Sequence, residues 1–370
     1  MRAWLACLFL LAPTVGLASS CALEGFEKFT PPPEPEQGPC GHASVPGPPA
    51  PTPPNEAGPE EEFVVALRVL RLKTDKDGGD LGLDLDRFCT CQGEERSCIP
   101  PVDQKESLSC DKAMGRDNQM PALFGLVEVA LQLKDLSELY SQFAELGSWG
   151  IIFHVSGYNG QPNDSKVRVA WYGSEGTEVT PAWDGSDAWP IATSTLENPA
   201  DVNTPKYFDN DAYVTDGMLV LSAPTGGIAV AGGNTRLHIN LSAGTIQAKI
   251  QKDALDRWIL RDGLIAGRIP QVELFRMVQS FRDDTGKPFC TDNIFWGTTQ
   301  DAFCRGLDMQ TGPPEPNKPC NAVSFAAGFD ADPAVIGVPK APNPDSPGCP
   351  PETDPIASFQ MFGCPAPMNP

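Results

Sequence analysis

In TRLHINLSAGTIQAK, residues 235–249, Leu237, Ile239 and Leu241 alternate with His238 and Asn240. A period of two marks a strand with one buried face. Upstream, Ile228–Ala231, Ala212–Ser222, Lys166–Tyr172 and Trp149–Val155 are short runs of the same kind, bounded by Gly, Pro, Asn and Asp. Earlier still, Glu62–Lys73 holds the β-branched, partly alternating run Phe63–Leu72, which predicts a first strand. A series of such strands predicts an antiparallel β-sandwich. The long polar stretch from Gly173 to Lys206, carrying Trp183 and Trp189, separates two of its strands.

Helical spacing flanks these strands. Across 118–146, Leu123, Leu126, Val127, Ala130, Leu133, Tyr140 and Phe143 recur mostly at three- and four-residue steps, and Gly147 supplies a stop. Leu255, Trp258 and Ile259 predict a second helix over 253–262, ending near Gly263. Pro270 opens a third over 270–281, and a shorter one is expected around Cys304. The expected class is therefore mainly β with flanking helices (α+β), a sandwich stapled by disulfides. The domain should span 62–338, between a Pro-rich disordered tether (21–61) and a Pro-rich, Cys-containing tail (339–370).

The chain opens with Met1 and Arg2, an apolar stretch from Ala3 to Leu17, and small residues at Ala18, Ser19 and Ser20. That order predicts a secretory signal over 1–20, too short for a permanent membrane helix. Ala18-Ser19-Ser20-Cys21 resembles the lipobox at which bacterial lipoproteins are cut and acylated, with Ala18 where Leu is commonest. The resemblance implies a lipid on Cys21 and attachment to a membrane; the alternative is ordinary cleavage and a soluble secreted protein. Parity agrees with acylation. Of twelve cysteines, Cys7 leaves with the signal and Cys21 takes the lipid, so ten remain, a number that can pair completely.

Those ten are Cys40, Cys89, Cys91, Cys98, Cys110, Cys290, Cys304, Cys320, Cys349 and Cys364. In an exported chain disulfides are the default, and Cys89-Thr90-Cys91 with Cys98 lacks the C-x2-C spacing and nearby His of a zinc site. Cys89, Cys91, Cys98 and Cys110 are expected to pair among themselves, because short loops close cheaply. Bridges from Cys40, Cys349 or Cys364 would hold the Pro-rich ends against the domain. The order Asp84-Leu85-Asp86 before Cys89, Cys110-Asp111 before Asp117-Asn118, and the late cysteine helices resemble uncharacterised Cys-rich exported lipoproteins of Gram-negative bacteria. That resemblance implies an outer-membrane or cell-surface location and brings no activity with it.

A net charge of -21 makes nucleic acid and anionic headgroups poor partners for the body of the protein, and cations better ones. The acidic stretch Asp75–Asp86 has five carboxylates punctuated by Gly, enough oxygen to wrap a calcium ion. No placement satisfies the EF-hand register. Asp84 and Asp86 are the first expected ligands, with Asp117 and Asn118 approaching through the disulfides. The alternatives are a solvated hairpin with Asp84 and Asp86 outermost, and a helix cap at Asp117 and Asn118.

Trp183 and Trp189 with Asp209 and Asp211 could line a sugar site, by analogy with sandwich lectins, although core packing accounts better for the tryptophans. The chain has no G-x-S-x-G, H-E-x-x-H, P-loop or G-x-G-x-x-G motif. The sequence thus predicts a lipid-anchored surface protein with a non-catalytic binding or structural role, cation-dependent, meeting a glycan or protein at the cell surface. The alternative is a secreted or surface-attached hydrolase acting on polysaccharide, or a carbohydrate-binding module.

Overall fold

Residues 61–71 form β1 (Glu61–Arg71) because their β-branched and apolar side chains can satisfy two sides at once. Val65 and Leu67 join the largest buried cluster, while Ala66 between them joins a second one. The computed structural model describes residues 40–51, 59–101, 110–131, 135–232, 235–282, 285–288, 290, 293–342, 349–355, 357 and 364. The remaining strands are β2 (Gly150–Tyr158), β3 (Asp164–Ser174), β4 (Ala188–Ala192), β5 (Tyr207–Thr215), β6 (Met218–Gly232), β7 (Thr235–Lys252), β8 (Trp258–Pro270), β9 (Ala322–Pro333) and β10 (Val335–Lys340).

Their order is β10-β4-β3-β2-β1-β9-β8-β7-β6-β5, and β5 also pairs with β3. That last pairing, from Asp164↔Val214 to Trp171↔Tyr207, closes eight antiparallel strands into a barrel. The expected sandwich is therefore incorrect. Alternation along a strand is identical in both architectures; what separates them is one pairing between distant strands, which no local pattern carries. β4 and β10, a parallel pair, extend the sheet beyond β3.

Parity then builds three apolar layers. Phe153, Val169, Trp171, Phe325 and Phe329 belong to the main cluster, as expected of an eight-stranded barrel whose interior side chains just fill. Their neighbours Ile152 and Ala170 face outward under Trp189, Ile191 and Leu196. Ala326, with Leu264 and Ala266, faces outward under Leu81 and Leu83. The barrel thus has two roofed patches, and the second roof carries the candidate site.

The helical expectation over 118–146 resolves into α1 (Met120–Leu131) and α2 (Leu136–Glu145), the second capped by Asp135, which accepts the N–H groups of Ser137 and Glu138. α2 packs on β1 and β6, strands on opposite sides of the barrel. Its Ser141 and Ser137 hydroxyls accept the N–H groups of Leu70 and Leu72 where β1 runs out. Over 271–278 and around Cys304 the expected helices form, as α3 (Gln271–Val278) and α4 (Asn293–Arg305).

The helix expected over 253–262 does not form. Asp253 accepts the N–H groups of Leu255 and Arg257 and binds the Arg257 side chain, making a turn, and from Trp258 the chain pairs as β8 with β7 and β9. Three apolar residues at helical steps were too few to outweigh two strand partners. The single run expected over Ala212–Ser222 breaks at Asp216-Gly217 into β5 and β6, and β4, β9 and β10 had no counterpart in the sequence reading.

All ten cysteines after Cys21 pair: Cys40–Cys89, Cys91–Cys110, Cys98–Cys320, Cys290–Cys349 and Cys304–Cys364. Among the first four, only Cys91 and Cys110 pair with each other, against expectation. Each doubling of loop length costs only about 0.6 kcal/mol of closure entropy, so proximity in sequence is easily overruled by where the fold puts the sulfurs. The bridges from the Pro-rich ends do form, at Cys40, Cys349 and Cys364. Five disulfides place the domain in an oxidising environment outside the cytoplasm. Among the described residues no helix is long and apolar enough to cross a membrane. The signal, Cys21 and most of the expected tether lie outside the described residues. Its domain end is tied down: Ala43 N–H donates to Met114 O (2.7 Å), Asp84 N–H to Ala43 O (2.7 Å), and the Tyr213 hydroxyl to Pro46 O (2.7 Å).

Candidate functional site

Leu81 and Leu83 turn onto the outer face of β8 and β9, so the alternate residues Asp84 and Asp86 turn the other way. That way is not solvent. A short antiparallel bridge between Leu83 and Asp117 lays residues 111–117 against them, and the Asp84 side chain is 1% exposed. Asp86 and Asp117 are buried too, and ligand oxygens of the three carboxyls lie within 4.8 Å of one another. The solvated-hairpin alternative is excluded by this burial.

Two glycines permit the close approach. Gly82, at φ 141°, faces Asp117 O, which a Cβ there would meet at 2.7 Å. Gly115, at φ 67°, leaves a Cβ position 2.7 Å from Cys89 Sγ and 3.1 Å from Asp84 Oδ2. Larger residues would push the two walls apart.

Two further carboxyls complete the group. Asp111 arrives beside the Cys91–Cys110 bridge and accepts the Thr90 N–H at 2.6 Å. Asp308 arrives between α4 and β9, on the segment that Cys98–Cys320 binds to the loop, and accepts the Ser324 N–H at 2.8 Å. A cavity of about 10 Å3 opens among Asp111, Asp117, Asn118, Gln119 and Asp308, with Lys112 and Arg116 on its wall. That is close to the space one water or ion centre needs.

The electrostatics are adverse to ionised carboxyls. Desolvation raises Asp84 to about 6, its contact with His42 opposing the shift. Desolvation and then the charge of Asp86 raise Asp111 to about 8, and desolvation raises Asp308 to about 7. Asp117 is raised well above the ordinary carboxylate range by desolvation and by Asp86, Asp111 and Asp308. Asp86 is raised by desolvation despite the Ser97 hydroxyl that it accepts, and it shares a hydrogen bond with Asp84.

Positive charge is scarce inside. Arg268 is buried, donates to Gly312 O and Leu85 O, and faces Asp86, Asp117 and Asp308. His42 pairs with Asp84 and lies 3.3 Å from Glu94, which raises its pKa. His42, Cys89 and Glu94 also cluster, but the Cys89 sulfur is closed in a disulfide and is not available as a thiolate ligand. Chemically the arrangement can share protons or hold a hard cation.

The structure thus brings together Asp84, Asp86 and Asp117. Asn118 lies alongside, but its amide is committed to Ala326, accepting that residue's N–H at 3.0 Å and donating to its carbonyl. Neither Asp117 nor Asn118 caps α1: Asp117 accepts the Leu85 N–H at 2.6 Å instead. Asp75 closes its own turn through the N–H groups of Asp77 and Gly79.

Trp189, on β4, is fully buried, and Trp183 leans on it while donating to Glu145 O. Asp209 and Asp211 sit on β5, where Asp209 accepts N–H groups from Asp211 and Ser222. The tryptophans are roof, the Asp209 carboxylate is a hydrogen-bond acceptor on β5, and Asp211 lies exposed on the same strand. Sequence reasoning missed Asp111, Asp308, Gln119, Arg268 and His42 as members of the acidic group. Cys110 marked Asp111; Asp308 had no local signal, since its place comes from the Cys98–Cys320 pairing and its bonds to Ser324 and Ala322 at the start of β9. Comparison with protein-family models, with curated proteins and with solved structures gave no match.

Proposed function

We propose that this is a lipid-anchored cell-surface protein with a non-catalytic binding or structural role, cation-dependent in its stability. The observation that carries the anchor is cysteine arithmetic: five bridges use ten of the twelve cysteines, and none of them needs Cys21. Cys21 is then left for acylation, which one lipid chain alone would make only a weak membrane attachment and several would make firm. The Cys40–Cys89 bridge supports the same reading, because a tether transmits position only if its far end is fixed to the domain.

A non-catalytic role is supported by how the acids gather. Glycosidases hold two carboxyl groups about 5 to 9.5 Å apart, with the sugar between them. Here three carboxyls crowd within 4.8 Å behind a cross-linked loop, an arrangement suited to a small cation.

Mass spectrometry of native protein tests the anchor. The expected result is a diacylated or triacylated amino-terminal Cys21 with all five bridges closed. An unmodified amino terminus at Ser19 or Cys21 would overturn it.

A further inference from the structure

We propose that the chamber where the close cluster of Asp84, Asp86 and Asp117 meets, through Asp117, the cavity lined by Asp111, Asp308 and Gln119 is a calcium site, with the side-chain amide of Gln119 as a neutral oxygen ligand. The proposal deepens the cation-dependence in the reading above and rests on it.

Calcium binds six to eight oxygens at about 2.3–2.6 Å, so two oxygens on one ion stand at most about 5 Å apart. The carboxyls of Asp84, Asp86 and Asp117 meet that limit as they stand, within 4.8 Å of each other. Their hydrogen bonds come from backbone N–H groups, the Ser97 hydroxyl and His42, which orient each carboxyl and leave lone pairs over.

An independent observation comes from Gln119. It is 8% exposed, lines the same cavity as Asp111, Asp117 and Asp308, and its Nε2 has no hydrogen-bond partner. An unpaired buried amide costs about 1–3 kcal/mol. A half-turn about its last bond would present Oε1 to the cavity, and an amide oxygen is an ordinary calcium ligand. The cavity volume, about 10 Å3, is near that of a single small occupant.

The ligand set also decides between cations. It is all oxygen, which excludes a preference for soft metals. It comes from three chain segments held by bridges, so every ligand must leave water together; magnesium, which dehydrates reluctantly and keeps several waters, is disfavoured. Extracellular modules typically bind calcium with Kd near 10⁻⁴–10⁻³ M.

The test uses the full exported chain with its bridges closed, stripped with EDTA, and titrated with CaCl2 and separately MgCl2 at pH 7.5. We expect one calcium per chain by calorimetry, at least tenfold weaker binding of magnesium, and a melting midpoint raised by about 5 °C in 5 mM CaCl2. Asp117→Asn should weaken calcium at least tenfold, whereas Asp209→Asn, on β5, should leave it unchanged. If Asp117→Asn does not fold, Asp111→Asn at the chamber's part-exposed side gives the same reading. No heat and no midpoint shift in 5 mM CaCl2 would overturn the site. So would equal binding in the wild type and both chamber variants. A calcium-blind domain carrying acylated Cys21 would remove the site and leave the anchor standing; calcium binding by a chain with unmodified Cys21 would do the reverse.

Discussion

The barrel wall and the cross-linked loop over 74–119 are held by different forces. In the wall, side chains sort by parity: Phe153 and Phe329 stack inside at 5.4 Å, while charged residues such as Lys249 stay outside in water. The loop contributes little apolar surface beyond Leu81, Leu83 and Leu85, and three of the five bridges hold it: Cys40–Cys89, Cys91–Cys110 and Cys98–Cys320. It turns three of its acids, Asp84, Asp86 and Asp117, inward. The contrast teaches that cross-links allow a segment to collect buried like charge that a hydrophobic core could not tolerate.

The largest expected effect falls on the longest bridge. Replacing Cys98 and Cys320 together by Ser opens a crosslink between residues 222 apart. The chain-entropy model puts the loss at about 5 kcal/mol, read in guanidinium unfolding. Amide exchange should show the loop amides, such as Ile99 and Asp117, deprotected first while β2 and β3 persist. Equal loss of protection in the wall would break the comparison. Phe329→Ala, in the wall, should cost about 4 kcal/mol, with one cooperative transition and no preferential opening of the loop.

A smaller effect distinguishes the two regions by pH. Asp84, Asp308 and Asp111 have folded pKa values of about 6, 7 and 8 against ordinary values of 3.8. Groups raised on folding contribute stability that is fully present below pH 3.8 and lost as pH rises through their folded values. In EDTA, therefore, the melting midpoint should fall by about 5 °C between pH 5 and 8.5, the reverse of ordinary acid denaturation. Asp111→Asn should flatten that slope at its alkaline end. A midpoint that climbs over the same range would show the chamber carboxyls to be ordinary.

How much of this could be read beforehand follows from the same contrast. Strand parity is local, so β1, β2, β3 and β7 were legible, and so was the helix after Pro270. Closure was not, because it is stated only in the pairing of Asp164–Trp171 with Tyr207–Val214. In the site, Asp84, Asp86 and Asp117 were legible because acid density and nearby cysteines single them out. Asp308 stands far along the chain among ordinary helix and strand residues, and Arg268 reads as one alternating residue of β8. Arg268 reaches the acids from its place on β8, and Asp308 joins them on the stretch before β9 that the Cys98–Cys320 bridge ties to the loop, one pairing among many that ten cysteines allow.

The smallest effect sharpens the claim about charge. On the wall, Asp262 accepts from Lys249 at 2.9 Å and pairs with Lys76 at 2.6 Å, and these contacts hold its pKa below the usual range. Both lysine side chains are 55% exposed, so water screens them and their long side chains lose freedom on pairing. Lys249→Ala should therefore cost no more than about 0.5 kcal/mol, near 1 °C in melting midpoint, and less in 0.5 M NaCl. Asp111→Asn, which removes a single formal charge just as Lys249→Ala does, should shift the midpoint several times further at pH 8.5 in EDTA, and upward. If the two substitutions moved it equally, charge in the chamber would be as well solvated as charge on the wall, and burial of the acidic group would have no energetic consequence.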